Sequence, residues 1–142
     1  MKYRKSTSKD IKAEKIDALQ ESIGWQKRGD IKWKECLAKS FFVYSVWDQD
    51  KLIGLGRILE DGTMCIFYDI MVHKDYQGQG IGKMIVGGLV DEIKNKDYHS
   101  INLFMDNESL KTFYGKFGFK PLKTGMECKQ YMKKYPVQAA GS

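Results

Sequence analysis

Apolar positions along this chain change period several times, and the changes mark out its elements. Ile11, Ile16, Ala18-Leu19 and Ile23 fall at helical spacing, with Asp10 placed to cap the start and Gly24 to close the end, so a helix is predicted over 11–23. Asp30 similarly opens a second predicted helix over 31–39, with Trp33, Cys36 and Leu37 on one face. The β-prone runs FFVYSVW (41–47) and LIGLGRIL (52–59), separated by a polar turn, predict a hairpin, and Asp61-Gly62 turns the chain into a further strand over 63–72. Ile81, Met84-Ile85, Leu89 and Ile93 give the next helix, to about 95, a wide apolar face. Gly87-Gly88 in its middle should cost about 1 kcal/mol each relative to alanine, and close packing of the helix on the sheet is the expected reason. SINLFM (100–105) predicts a strand parallel to 63–72, because a loop and a helix connect the two. A helix over 109–117 ends at Gly118, Phe119 enters a strand that Pro121 restricts, and MECKQYM (126–132) is predicted as the last strand. KYRKST (2–7) reads as a short edge strand, and PVQAAGS (136–142) as a disordered tail.

The resulting order, β-α-α-β-β-β-α-β-α-β, is an α+β pattern: a mixed, mostly antiparallel sheet flanked by helices, in one domain over 1–135. With 42% hydrophobic residues in 142, the chain can bury a real core, and its apolar runs are far short of a membrane span. The basic start, MKYRKSTSKD, leads into no apolar signal-peptide region. Cys36, Cys65 and Cys128 are odd in number and widely spaced, which argues against a disulfide framework or a zinc site. They are expected as small buried residues in a reducing cytoplasm. The net charge of +6 suits solubility or an anionic partner. The lysines are dispersed and no zinc or RNA-binding motif is present, so a nucleic-acid partner is not expected, nor is a membrane one.

The chemistry concentrates in YDIMVHKDYQGQGIGK (68–83), a strand, a polar break and three glycines directly before a helix. A helix N-terminus presents unpaired N–H groups and partial positive charge, and glycines let that backbone close around an anion. This is a phosphate-holding arrangement. The Walker spacing fails, because Gly82-Lys83 is followed by Met84 and Gln77 stands where its first glycine belongs. The dinucleotide fingerprint fails because Lys83 stands three after Gly80.

What remains is V-x-x-x-x-Q-x-x-G-x-G, from Val72 through Gln77, Gly80 and Gly82. It resembles the coenzyme A pyrophosphate loop of the GCN5-related N-acetyltransferase (GNAT) superfamily. A second block agrees: Asn107 opens the segment NESLKTFYGKFGF, Tyr114 follows seven residues later, and Gly118-Phe119 closes it. The pieces RILEDG, FYDIMVHKDYQGQGIGK, INLFMDN and FYGKFGF look similar to the branch that includes plant plastid serotonin/lysine acetyltransferases and small bacterial relatives. The resemblance implies a sheet whose central parallel pair, 63–72 and 100–105, splays apart, with the coenzyme in the gap.

By that resemblance the backbone N–H groups of Gln77, Gly78, Gln79, Gly80, Ile81, Gly82 and Lys83 cradle the pyrophosphate of acetyl-CoA, a co-substrate used without a metal. Gln77 also orders the loop through its side chain, and Ile70, Met71 and Val72 pair by backbone with the pantetheine arm. Asn107 and Phe113 contact the coenzyme, and Tyr114 stands beside the thioester sulfur as general acid. The acid is chemically sound, since a phenol of pKa about 10 can protonate or stabilise a leaving thiolate of pKa about 8.5. An alkyl amine is almost fully protonated at pH 7, and freeing it costs about 4–5 kcal/mol, so a proton acceptor is wanted. Asp69, a charge inside an apolar strand, is the candidate, with a buried structural carboxylate paired to Arg57 or a lysine as the alternative. Trp25, Trp33, Phe67, Phe104, Met105 and Glu127 are candidates to line an acceptor site. The expected activity is acetyl transfer to a small primary amine: an arylalkylamine, a polyamine or an amino-acid-like molecule. Protein lysine or N-terminal acetylation, and a non-catalytic acetyl-CoA sensor, are the alternatives. Homodimers are frequent in the superfamily, and a dimer is left open.

Overall fold

The β-prone runs of 41–72 build the middle of the sheet. In the computed structural model, which describes residues 2–105 and 107–128, strand β1 (Arg4–Ser6) pairs antiparallel with β2 (Phe42–Asp48), β2 with β3 (Lys51–Glu60), and β3 with β4 (Met64–Val72). Strand β5 (Ser100–Leu103) adds parallel to β4, from Met64 opposite Ser100 to Phe67 opposite Leu103, giving the order β1-β2-β3-β4-β5. β3 is buried from Leu52 to Ile58 because helices cover both faces.

Helices α1 (Ala13–Ser22) and α2 (Asp30–Lys39) cover one face, where Ile16, Leu19, Trp33 and Leu37 pack with Val43, Leu55 and Met71. α3 (Ile81–Ile93) covers the other, with Ile81, Ile85 and Leu89 among Val46, Ile53 and Ile58. The α3 side packs closely enough to need glycines: a Cβ on Gly56 would stand 2.6 Å from Ile85, and one on Gly88 2.4 Å from the Tyr44 ring. Gly87 has nothing within 4 Å, so only one of the two helix glycines has the expected packing reason.

Several boundaries depart from the sequence pattern. Asp10 does not cap α1; that helix starts at Ala13 after an extended Lys12, and the Asp10 N–H donates to Ser8 Oγ at 3.1 Å. Nearby serines compete locally for the backbone there. Gly24 closes α1 as expected, with φ 81° and its N–H on Glu21 O at 3.1 Å. α2 starts at Asp30 itself after a left-handed Gly29, and the Asp30 carboxylate pairs with Lys34 at 3.1 Å rather than capping. The helix predicted over 109–117 is a 3₁₀ turn (Glu108–Leu110) followed by the short α4 (Lys111–Gly115). β5 ends at Leu103, and no strand forms over 119–128, where Pro121 has no N–H to give a ladder. The rest of the predicted last strand, 129–132, and the tail 136–142 lie outside the described residues. Cys65 is buried and Cys36 half-buried, but Cys128 is exposed, against expectation, because its segment lies outside the core. Among the described residues no helix is long and apolar enough to cross a membrane.

Candidate active site

The two blocks singled out in the sequence meet in space. A ring carbon of Phe113, on α4, stands 3.4 Å from where a Cβ on Gly82 would lie, and Val72, at the end of β4, stands 3.8 Å from the same point. Strand end, glycine loop and α4 therefore converge on one spot at the N-terminus of α3.

Sequence explains each part of that loop. His73 ends β4, and its Nδ1 accepts the Asp75 N–H at 3.1 Å, capping the 3₁₀ turn Lys74–Tyr76. Gln77 Nε2 donates back to Val72 O at 3.1 Å, so its side chain does brace the loop. Gly78 and Gly80 have φ of 80° and 84°, a backbone region that costs other residues strain, and no Cβ there would touch anything. These two glycines serve conformation, not space. No side chain caps α3, whose first helical bond runs from the Met84 N–H to Gly80 O at 3.1 Å. The N–H groups ahead of Met84 thus have no acceptor within the helix, which is the arrangement that could hold an anion. Ile81 contributes backbone only, since its side chain is core. Two further contacts tie the loop down: Tyr3 Oη donates to Gln79 Oε1 at 2.8 Å, and Tyr76 Oη to Asp48 Oδ2 at 2.7 Å. Acceptance by Asp48 and burial together push the Tyr76 phenol up to about 12.

Beyond Phe67, β4 has no strand partner on its β5 side, so residues 68–72 present a free backbone edge among the described residues. This is the expected splay. On the β3 side the same stretch carries a bulge: Leu55 opposes Met71 and Arg57 opposes Tyr68, leaving Asp69 and Ile70 against Gly56 alone. Asp69 takes the left-handed conformation, φ 52°, which aspartate tolerates better than most residues. The side chains of Met71 and Val72 are buried, so only their backbone can meet a ligand.

Asp69 sits in an ion-pair cluster. Arg28 Nη1 and Nη2 donate to its two oxygens at 2.8 and 3.0 Å, and Arg57 Nε donates at 2.7 Å. Arg28 in turn stacks 4.1 Å from the Trp33 ring centroid, and its backbone N–H donates to Asp17 Oδ1 at 2.8 Å. Burial alone would raise the Asp69 pKa, but Arg28 and Arg57 outweigh it and hold the carboxyl below its usual range. A carboxylate so held is a poor proton acceptor, and its oxygens are occupied. The geometry supports the paired structural role over that of base: Asp69 pins the bulge to the α1–α2 connection.

Tyr114 is only 5% exposed. Its ring meets Phe113 and Phe119 edge-on, with centroids at 5.0 and 6.2 Å, and Phe119 packs on Phe67 at 5.6 Å. It borders a cavity of ≈ 860 Å³ shared with Asn102, Phe104 and Met105. Asn107 is exposed and its Oδ1 accepts the Ser109 N–H at 2.9 Å, capping the turn before α4.

Of the expected acceptor residues, Trp33 is fully buried beneath Arg28, donating from Nε1 to Asp17 Oδ1 at 3.0 Å, and cannot touch a substrate. Phe67 is core at 1% exposure, reaching the cavity only at its wall. Trp25 is half-buried against the α1–α2 core, Phe104 is exposed, Met105 half-buried, and Glu127 lines the cavity rim. Sequence reasoning missed Arg28 and Tyr3, which lie 41 and 76 residues from their partners. A lone buried aspartate demands a cation, which pointed to Arg57, but no local signal marks Arg28 or Tyr3.

The model of the acetyltransferase (GNAT) family matches residues 11–119, a span that holds the loop, the bulge and α4 together. The chain belongs to the GNAT family. Its relatives bear names of the same activity. It is 31% identical over 119 residues to the N-acetyltransferase ycf52 of Pyropia yezoensis, covering 80% of this chain and 68% of that one. It is 28% identical over 134 residues to histone acetyltransferase TAP1 of Glycine max, covering 86% of this chain and 58% of that one. A solved structure from meticillin-resistant Staphylococcus aureus, described as an acetyltransferase by inference, superposes with a TM-score of 0.80 at 28% identity, covering 93% of this chain and 99% of that one. This GNAT protein is therefore an N-acetyltransferase, and acetyl-CoA is the donor typical of its family.

Proposed function

We propose that this GNAT protein transfers the acetyl group of acetyl-CoA to a primary amine of a small molecule. The observation that supports this reading is the meeting of Gly82, Val72 and Phe113, which brings a helix N-terminus and a free strand edge to one spot beside α4, the helix that carries Tyr114. The N–H groups from Gln77 to Lys83 hold the pyrophosphate, and the edge of Ile70, Met71 and Val72 pairs with the pantetheine arm. Asn107 and Phe113 line the coenzyme's path. One edge N–H polarises the thioester carbonyl. The amine nitrogen attacks the carbonyl carbon, a C–N bond forms, and the C–S bond breaks with its electron pair leaving on sulfur. The Tyr114 phenol donates its proton to that thiolate, and water takes the proton the amine sheds. With Asp69 engaged by two arginines, no protein base is assigned. The three dispersed cysteines suit a reducing compartment such as the cytoplasm.

The test is thiol release from acetyl-CoA with a panel of amines and a lysine peptide. Release should depend on a small amine, and Tyr114→Phe, which keeps the packed ring, should lower kcat by about 10²–10⁴. An unchanged kcat in that variant removes Tyr114 as the acid. No binding of acetyl-CoA removes the loop assignment. The name of the soybean relative favours a second reading, a protein lysine acceptor, and the peptide arm decides between them.

A further inference from the structure

The cavity beside Tyr114 is electrostatically one-sided. Among the described residues Lys94, Lys111, Lys120 and Lys123 line it, against the single carboxylate of Glu127. Lys94 and Lys111 are drawn outward to Asp91 and Glu108, each at 3.1 Å. Lys120 and Lys123 form no salt bridge among the described residues and are exposed on the wall. Asp69, the only carboxylate of the uncovered stretch 68–72, is engaged by Arg28 and Arg57 and offers no acidic oxygen to an amine there.

A polyamine or a basic peptide would enter this space against like charge, and its second ammonium would find no described carboxylate beyond Glu127. An amine that also carries an anion would find Lys120 and Lys123 waiting for it, while its ammonium end approaches the thioester. We infer that the acceptor is a small primary amine bearing a carboxylate or phosphate, and that Lys120 and Lys123 select it. This rests on the acetyl-transfer reading and narrows it, setting aside polyamines and basic protein tails. The chemistry is that already described: C–N forms, C–S breaks, and the selected anion takes no part in either bond.

Matched amines isolate the anion. Steady-state thiol release is measured with tryptamine against tryptophan, ethanolamine against phosphoethanolamine, and spermidine alone, which separates carboxylate from phosphate as the recognised group. In at least one pair the anionic member should have the higher kcat/KM, and spermidine should be poor. In the double variant Lys120→Gln/Lys123→Gln that preference should collapse by about tenfold through KM, as expected for two partly solvated charge contacts, while the KM for acetyl-CoA stays within about twofold. Preference for spermidine, or for the neutral member of both pairs, overturns the inference and leaves acetyl transfer standing. A rise in KM for acetyl-CoA without change in amine preference also overturns it, assigning the lysines to the coenzyme. No release with any of these amines, despite acetyl-CoA binding, sinks the small-amine reading on which the inference rests and turns the assay to the lysine peptide.

Discussion

Replacing Asp69 with asparagine isolates the charge of the bulge from its shape. Asparagine fills the same volume and tolerates the left-handed φ of 52° as aspartate does, so the backbone is not perturbed. What is lost is the only counter-charge, among the described residues, of Arg57, whose side chain is 5% exposed, and of Arg28, 25% exposed. Breaking a buried pair from one side costs about 3–5 kcal/mol. Arg57 keeps bonds to Ser40 Oγ at 3.2 Å and Cys36 O at 3.5 Å, and Arg28 can reach water, so the lower end of that range applies. For a domain of this size each kcal/mol moves Tm by roughly 3–4 °C, giving a fall of about 10 °C for Asp69→Asn at pH 7. Asp69→Ala should lose about 1–2 kcal/mol more, because alanine resists the left-handed region. The effect has a pH signature. The folded-state pKa of Asp69 lies below its ordinary value of 3.8, so its stabilisation is fully present above that value and is lost as pH falls through the folded one. The Tm gap between wild type and Asp69→Asn should therefore close in strong acid. Thermal unfolding followed by circular dichroism reads all of this. A Tm within about 2 °C of wild type would refute the structural assignment. If kcat collapsed at the same time, Asp69 would be the base after all.

The two helix glycines should behave oppositely: Gly88→Ala forces a Cβ to 2.4 Å from the Tyr44 ring and should cost about 1–3 kcal/mol net, whereas Gly87→Ala meets nothing and should gain up to about 1 kcal/mol, both measurable by urea unfolding. Tyr3→Phe removes the bond to Gln79 that steadies the glycine loop, and should raise the KM for acetyl-CoA about threefold to tenfold with kcat held; an unchanged KM would show the loop needs no such tether. Burial first, and Lys51 second, hold the His73 pKa below its ordinary 6.5 against the pull of Asp75. The neutral ring is thus the folded form, and its support of the loop is present above that ordinary value and lost as pH falls through the lowered one, when Nδ1 gains a proton and can no longer accept from Asp75. Acetyl-CoA affinity should weaken over that acid range in wild type and be flatter in His73→Asn, whose side-chain oxygen can accept at any pH; identical profiles would exclude His73 as the cause.

Local patterning was enough to read the fold and the two functional blocks. β-prone runs over 41–72, a helical period after Gly80, and turn residues between them are properties of neighbouring residues, and the structure places β2, β3, β4 and α3 within two residues of where they predict. The Gln77 brace on Val72 was legible for the same reason, since its partner lies five residues away. Helix starts were less legible, because a candidate cap such as Asp10 competes with serines whose own bonds to the backbone no periodicity reports. Acceptor-site residues were least legible: Trp33 and Trp25 look alike in sequence, yet one lies fully under Arg28 and the other is half-buried. Sequence by itself determined the strands and helices from β2 to α3, and that α3 would start on a glycine-rich turn. Only the tertiary structure decided that Asp69 belongs to both Arg28 and Arg57, that Tyr3 holds Gln79, and that lysines from three separate segments line the cavity that Tyr114 borders. Those are contacts between residues tens of positions apart, fixed by how helices pack on a twisted sheet and by the need to neutralise what packing buries, and no local spacing encodes them.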